Sequence, residues 1–435
     1  MYGDPTGSGF LRARRLSLAY FALIIAIVSA SVLEIAGAKF GAQLGMMAAA
    51  LGLLATAASA QKSDYEHYQR AMSFGRWLLI AIPLGIALQL VPVWLGFAHP
   101  IWASTHDALG GLPLGPVTAD IGLTLNALLQ AVAVVALLGV TIVVVRDRSR
   151  AELVLFVLSG IAAISALALD LHRLSPGLMA AAPPDLTTTM AGFGVMLNMA
   201  VMQLAAERAE TRHSLSRSIA IGLCGLLGAL VSALAVFGFS STNSAVAAGF
   251  GIALILLVLV IRRLDLSPLA AGALAAAGLI GAAIVLTFLF EQTSGPNLLR
   301  LVPDIGAETK AALERMLADT RWFGAGAGTF SAVGKIYQSD AGEALSAPST
   351  AVAIFADMGW IGLVVAGLAC LLALIRLFFG ALQRGRDSFF PTAAAACLVF
   401  ALVQSFAGPG LLRPAAILCF AVIVGLGLSQ SVSSR

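Results

Sequence analysis

Long apolar runs alternate with short polar ones along almost the whole chain. A membrane-spanning helix needs roughly 20 mostly apolar residues. Twelve windows meet that requirement: 16–36, 40–60, 76–97, 120–145, 151–170, 186–206, 218–239, 244–261, 267–290, 350–379, 391–407 and 413–430. The pattern predicts an all-α polytopic membrane protein with about twelve transmembrane helices. The window 40–60 is rich in Ala, Gly and Met, and small residues let helices approach closely, so it is predicted to be an interior helix. One polar interruption is long, residues 291–349, between the ninth and tenth windows. Within it, 304–319 is predicted to be a short amphipathic helix. Ala312, Leu313, Met316 and Leu317 form its apolar stripe, and Glu308, Lys310, Glu314, Arg315 and Asp319 occupy the rest of the circumference. Arg315 and Asp319, spaced i,i+4, are placed to pair. A Gly-rich segment follows at 321–330. Ser346 is the expected cap of the next helix, with Pro348 in its first turn. No internal repeat or linker interrupts the pattern, so 1–435 reads as a single integral membrane domain.

Charge supplies the expected orientation. Only 11% of the 435 residues are charged, against roughly 25% in soluble proteins, which excludes a soluble globular fold. Lys and Arg concentrate in alternate short loops, as cytoplasmic loops do. With the N-terminus inside, 18 of the 26 fall on inside segments, among them Arg12, Arg14, Arg15, Arg146, Arg148, Arg208, Arg262 and Arg384. Both termini are then cytoplasmic, and the long loop faces outward. The net charge of +4 follows from this bias, so no nucleic-acid partner is expected. The first apolar run follows three arginines but is long enough to remain as a span, so no cleavable signal is expected. Cys224, Cys370, Cys397 and Cys419 all lie in apolar windows; they read as buried free thiols without metal-ligand spacing.

Candidate chemistry gathers in the long loop. Gly324, Gly326 and Gly328 alternate with alanines. Such glycines permit positive φ and close approach to a ligand, and their N–H groups can face an anion. They equally suit a tight turn packed on the bundle, with Trp322 and Phe323 as interfacial anchors. Arg321 beside them carries a planar fork suited to phosphate, and Lys335 and Tyr337 follow. Two other outward loops are polar. His99–Asp107 contains Trp102 and His106, either an interfacial belt or a source of acid/base groups. Residues 170–185, with His172 and Arg173, read as a solvated loop. Within the spans, Glu34 and Asp357 are carboxylates that need a partner or a wet cavity. Asn126, Gln130, Asn198, Gln203 and Gln404 suit hydrogen bonds between helices.

Two of these segments carry a resemblance. Asp319–Phe330 is similar to the arginine-to-glycine-rich segment of the O-antigen ligase and O-antigen/exopolysaccharide polymerase superfamily, and Ala356–Leu363 (Ala-Asp-Met-Gly-Trp-Ile-Gly-Leu) is similar to a second segment of that family. The order of the two segments and the twelve-span pattern with a long loop between helices 9 and 10 also resemble it. The resemblance implies a GT-C-like membrane glycosyltransferase, metal-independent and without a cofactor, in the inner (cytoplasmic) membrane of a bacterium with the long loop periplasmic. Its implied partners are a polyprenyl-diphosphate-linked glycan (undecaprenyl diphosphate in the family), an acceptor glycan or lipid, membrane lipids and other polysaccharide assembly proteins. Arg321 is the implied cation for the diphosphate, with Arg300, Arg315, Lys335, Gly324, Gly326 and Gly328 around it. The matching motif positions are Pro348, Ser349, Asp357, Gly359 and Gly362. The chain departs from the family twice. Pro348 stands where the family has its histidine base, and the turn Ser240–Asn243 lacks the arginine usual there. A base must then come from elsewhere, and Glu343, Asp340 and His106 are the outward candidates.

Three functional readings follow. The first is a glycan polymerase or ligase with Arg321, Glu343 and His106 as catalytic candidates. The second is a non-catalytic lipid-glycan-binding or scaffold subunit of a polysaccharide assembly or export complex. The third is a transporter.

Overall fold

The computed structural model describes residues 5–432 except 39, 74, 111–113, 176–181, 211–214, 265–269, 275, 279–280, 282–305, 321, 339–344, 384 and 386. Its architecture is a bundle of long apolar helices: α1 (Pro5–Ile35), α2 (Gly41–Ala57), α3 (Lys62–Ala71), α4 (Arg76–Gln89), α5 (Pro100–Leu109), α6 (Ile121–Val144), α7 (Arg148–Leu174), α8 (Pro184–Glu210), α9 (Leu215–Ala233), which runs into a π-helical turn (Leu234–Phe239), and α10 (Thr242–Arg263). After these come α11 (Ala307–Asp319), α12 (Phe330–Tyr337), α13 (Thr350–Gln383), α14 (Phe389–Ala407) and α15 (Pro414–Ser431). Two short strands, β1 (Val93–Trp94) and β2 (Leu114–Gly115), pair antiparallel across α5, with Val93 opposite Gly115. Among the described residues nine helices are long and apolar enough to cross a membrane, and Gly41–Ala57 and Leu79–Gln89 are shorter apolar helices. The chain is therefore an all-α polytopic membrane protein. Most of the predicted window 267–290 lies outside the described residues.

The centre of the bundle is α8, α14 and α15, whose apolar windows are the most buried. Phe193 of α8 packs edge-on against Phe400 of α14 and stacks on Phe420 of α15, with ring centroids 5.4 and 5.9 Å apart. Small residues set the spacing: a Cβ on Gly427 would lie 2.3 Å from the Ala394 Cβ, so α14 and α15 approach only because one of them has none. Helix α2 is peripheral, not interior. Its small residues Gly41, Gly45, Ala48, Ala49 and Gly52 are buried, whereas Leu44, Met47, Leu51 and Leu54 are exposed. A Cβ at Gly45 would meet Ala30 and Leu418 at 3.0 Å, so the smallness of α2 serves one face only. Helix α9 likewise turns Leu215, Ile219, Leu223, Leu226 and Leu230 outward. Cys224 on this helix is exposed, while Cys397 and Cys419 are buried.

Polar contacts sort the loops into two ends. At one, Arg146 pairs with Asp64, Arg148 with Glu152 and Asp387, and Arg208 with Glu152, while Arg262 reaches Ser388 and the Gly385 carbonyl. This is the basic end. At the other, Arg413 pairs with Asp185 at 3.5 Å, Glu34 accepts from the Ala415 amide at 3.0 Å, and Thr350 is bonded to the Gly408 carbonyl. Between the ends, Ser159 of α7 donates to Asn198 of α8 at 2.7 Å, the interhelical role expected for Asn198.

Candidate functional site

The site lies at the end opposite the basic loops and starts from a break in a helix. Gly359 has φ 67° and ψ −167° inside α13, a conformation reserved for glycine. The break leaves the carbonyls of Ala356 and Asp357 without helical partners, which apolar surroundings make costly. The Gly-rich segment supplies the missing donors. The Ala325 amide donates to Ala356 and the Gly326 amide to Asp357, both at 2.9 Å. Gly324, Gly326 and Gly328 all have positive φ. A Cβ on Gly324 would fall 2.3 Å from the Asp357 carbonyl carbon, and one on Gly326 2.1 Å from the Thr118 hydroxyl. These glycines are therefore required by close approach of two backbones within the protein.

Asp357 closes the arrangement. It is buried on α13, and its Oδ2 accepts from the Gly328 amide at 2.8 Å. The amides of Thr329 and Phe330 face the same carboxylate. Since Phe330 opens α12, Asp357 caps that helix, its charge set against the positive end of the dipole. Gln89, the last residue of α4, binds three partners at once. Its Nε2 donates to the carbonyls of Phe323 (2.8 Å) and Asp357 (3.0 Å), and its Oε1 accepts from the Ala327 amide at 3.0 Å. Thr124 of α6 donates to the Ala327 carbonyl at 3.0 Å and meets Thr118 at 2.6 Å. The Ala119 amide donates to Ala325 at 2.8 Å. Three separate helices, α4, α6 and α13, thus hold one glycine-rich strand of backbone.

Helices α11 and α12 are seated on the same place by a small apolar core of Leu313, Met316, Phe330, Val333, Leu345, Val352 and Ala353. Leu313 and Met316 belong to the predicted stripe of α11. The expected Arg315–Asp319 pair is replaced by contacts with Tyr337. Arg315 donates to the Tyr337 carbonyl at 3.1 Å, and the Tyr337 hydroxyl donates to Asp319 at 3.1 Å. Burial raises the Tyr337 phenol above its ordinary value, and the Asp319 carboxylate reinforces this. The cap of α13 is Ser349, not Ser346. Ser349 is fully buried and its hydroxyl accepts from the Val352 amide at 3.3 Å, whereas Ser346 is exposed. Pro348 precedes that cap, because the helix begins two residues later than the proline spacing suggested.

The structure brings together Gly324, Gly326, Gly328, Asp357 and Gly359. It keeps Gly362 on the same helix and puts Lys335 on α12, exposed to solvent. The amides of residues 325–329 all donate within the chain, so this backbone is not presented to an outside anion. Arg321, Arg300, Glu343 and Asp340 lie outside the described residues. Next to Arg321, Trp322 and Phe323 are exposed. His106 sits one helical turn beyond Trp102 on α5. The Trp102 indole donates to the Thr118 carbonyl at 2.8 Å, and Thr118 touches the Gly-rich strand. The His106 Nδ1 is buried and has no partner among the described residues, so this imidazole is one short helix away from the strand. Sequence reasoning missed Gln89, Thr118 and Thr124. The available signal was a glutamine inside the apolar window 76–97, close to an outward loop. Compared with protein-family models, curated proteins and solved structures, the chain matches none of them.

Proposed function

We propose that the chain is a membrane glycan polymerase or ligase, which transfers a polyprenyl-diphosphate-linked glycan to an acceptor hydroxyl outside the cytoplasmic membrane. In this reading it has twelve crossings in a GT-C-like arrangement. The basic end is cytoplasmic by the positive-inside rule, and residues 291–349 are extracytoplasmic. The observation that carries the reading is the contact between two segments distant in sequence. The Gly-rich run and the Asp357–Gly359 segment, which carry the family resemblance together, meet through Ala325, Gly326 and Gly328. In the sequence, Arg321 precedes the first of these residues by four positions.

The reaction would be attack by the acceptor oxygen on the anomeric carbon as the bond to the lipid diphosphate breaks. Arg321 stabilises the charge developing on the diphosphate. Because the glycine amides are consumed, side-chain cations carry that role, with Arg300, Arg315 and Lys335 as secondary contributors. A base takes the acceptor proton. With proline at 348, His106 and Glu343 are the candidates, and the unpartnered Nδ1 of His106 favours the first.

One observation favours a second reading, a non-catalytic lipid-glycan-binding subunit. The residue beside Pro348, Ser349, is buried as a helix cap, and Asp357 is buried with one oxygen held by the Gly328 amide, so neither offers an accessible base. Purified protein incubated with a polyprenyl-diphosphate glycan separates the two. Transfer that Arg321→Ala lowers by about 100-fold or more supports the enzyme. Donor binding with no product from the wild type supports the subunit.

A further inference from the structure

We propose that Asp170 is a binding site for a small monovalent cation, a proton or a sodium ion, near the same end of the bundle as the Gly-rich run. Asp170 lies in the span Arg148–Leu174, one turn from its end, and is only 3% exposed. Its Oδ1 is buried without a hydrogen-bond partner. A carboxylate so placed is expensive unless something neutralises it.

The register of the neighbouring helices sets its level in the bundle. Ser159 bonds to Asn198, and a Cβ on Gly194 would lie 3.3 Å from that of Ala162. Continued towards the end of the bundle, this antiparallel register brings Asp170 to the level of Leu186 and Thr187 of α8. Gly194 likewise faces Ser232, and Ser240 reaches Thr188, so the π-helical turn ends at the same level. Helix α7 and that turn both finish here, and their carbonyl ends add negative potential to the carboxylate. A π-helical turn often marks a functional site. Among the described residues, the charged groups at this level of the helices packed on α7 are committed elsewhere or lie on α7 itself. On α8, Asp185 pairs with Arg413, which precedes α15. On α1, Glu34 holds the Ala415 amide. Helix α9 and its turn contribute no charged group at this level. On α7, His172 and Arg173 follow Asp170 by two and three residues in the last turn, and neither forms an ion pair with it among the described residues.

The test needs no glycan and is independent of the transfer reading. Full-length protein in lipid nanodiscs is unfolded by heat at about pH 5.5 and about pH 8, in sodium chloride or in a chloride of a large organic cation. A proton site predicts that the wild type loses several degrees of Tm at the higher pH without sodium, and that Asp170→Asn removes this loss. A sodium site predicts in addition that sodium restores the wild type at the higher pH but not the variant. Identical shifts in wild type and variant would overturn the proposal. Should Asp170→Asn not assemble, Asp170→Glu, which keeps the carboxyl group, retains the dependence. A wild type indifferent to both pH and sodium overturns the site on its own.

Discussion

Gln89 makes more of the site than any cation does. Removing its side chain leaves the carbonyls of Phe323 and Asp357 and the amide of Ala327 to find new partners in a buried place. Each unsatisfied buried group costs about 1–3 kcal/mol. Gln89→Ala is therefore expected to destabilise the protein by about 2–4 kcal/mol, since relaxation and water recover part of the loss. Urea or thermal unfolding in nanodiscs measures this. The glycines make a graded prediction. At Gly324 and Gly326 an added Cβ meets backbone or the Thr118 side chain at 2.3 and 2.1 Å, but at Gly328 its nearest neighbour is the Leu123 carbonyl at 3.2 Å. All three have positive φ. Alanine should thus cost about 2–4 kcal/mol at the first two positions and about 1 kcal/mol at the third. Equal effects at all three would mean that φ alone sets the requirement.

At the scale of elements, the broken helix α13 and the short helix α12 depend on each other through one carboxylate. Asp357→Asn keeps an oxygen for the Gly328 amide but loses the charge at the start of α12. Asp357→Ala loses both. Amide hydrogen exchange over residues 325–333 should accelerate modestly in the first variant and at least tenfold in the second, with α8 and α14 unchanged. Equal exchange in all three proteins would show that the carboxylate does not hold α12. Gly359→Ala tests the break itself. If a left-handed residue is required there, the same amides lose their acceptors and exchange faster.

For the whole molecule, period and composition were enough to find the nine long apolar helices among the described residues, because a span in lipid must satisfy its own backbone, but not the short helices α3, α5 and α12. The two ends were also legible, since arginines on alternate loops became the ion pairs of Arg146, Arg148 and Arg208 at one end. The packing role of residues within a helix was not legible. The sequence of α2 shows small residues, but not that only one face of it is covered. The same limit applied to the site. Alternating glycines suit an anion and a tight backbone contact equally, and only the positions of Ala356, Asp357 and Thr118 decide for the contact. Gln89 was missed because its three partners come from segments more than 200 residues away in the chain.

The role proposed for Arg321 is to stabilise the diphosphate of a lipid-linked glycan. The most direct test is transfer from a polyprenyl-diphosphate glycan donor by the purified wild type, Arg321→Ala and Gln89→Ala in nanodiscs, with donor binding measured on the same samples. Product is expected from the wild type, with a loss of about 100-fold or more in Arg321→Ala and an intermediate loss in Gln89→Ala that tracks its unfolding. Undiminished transfer by Arg321→Ala, or bound donor that the wild type never turns over, would contradict it.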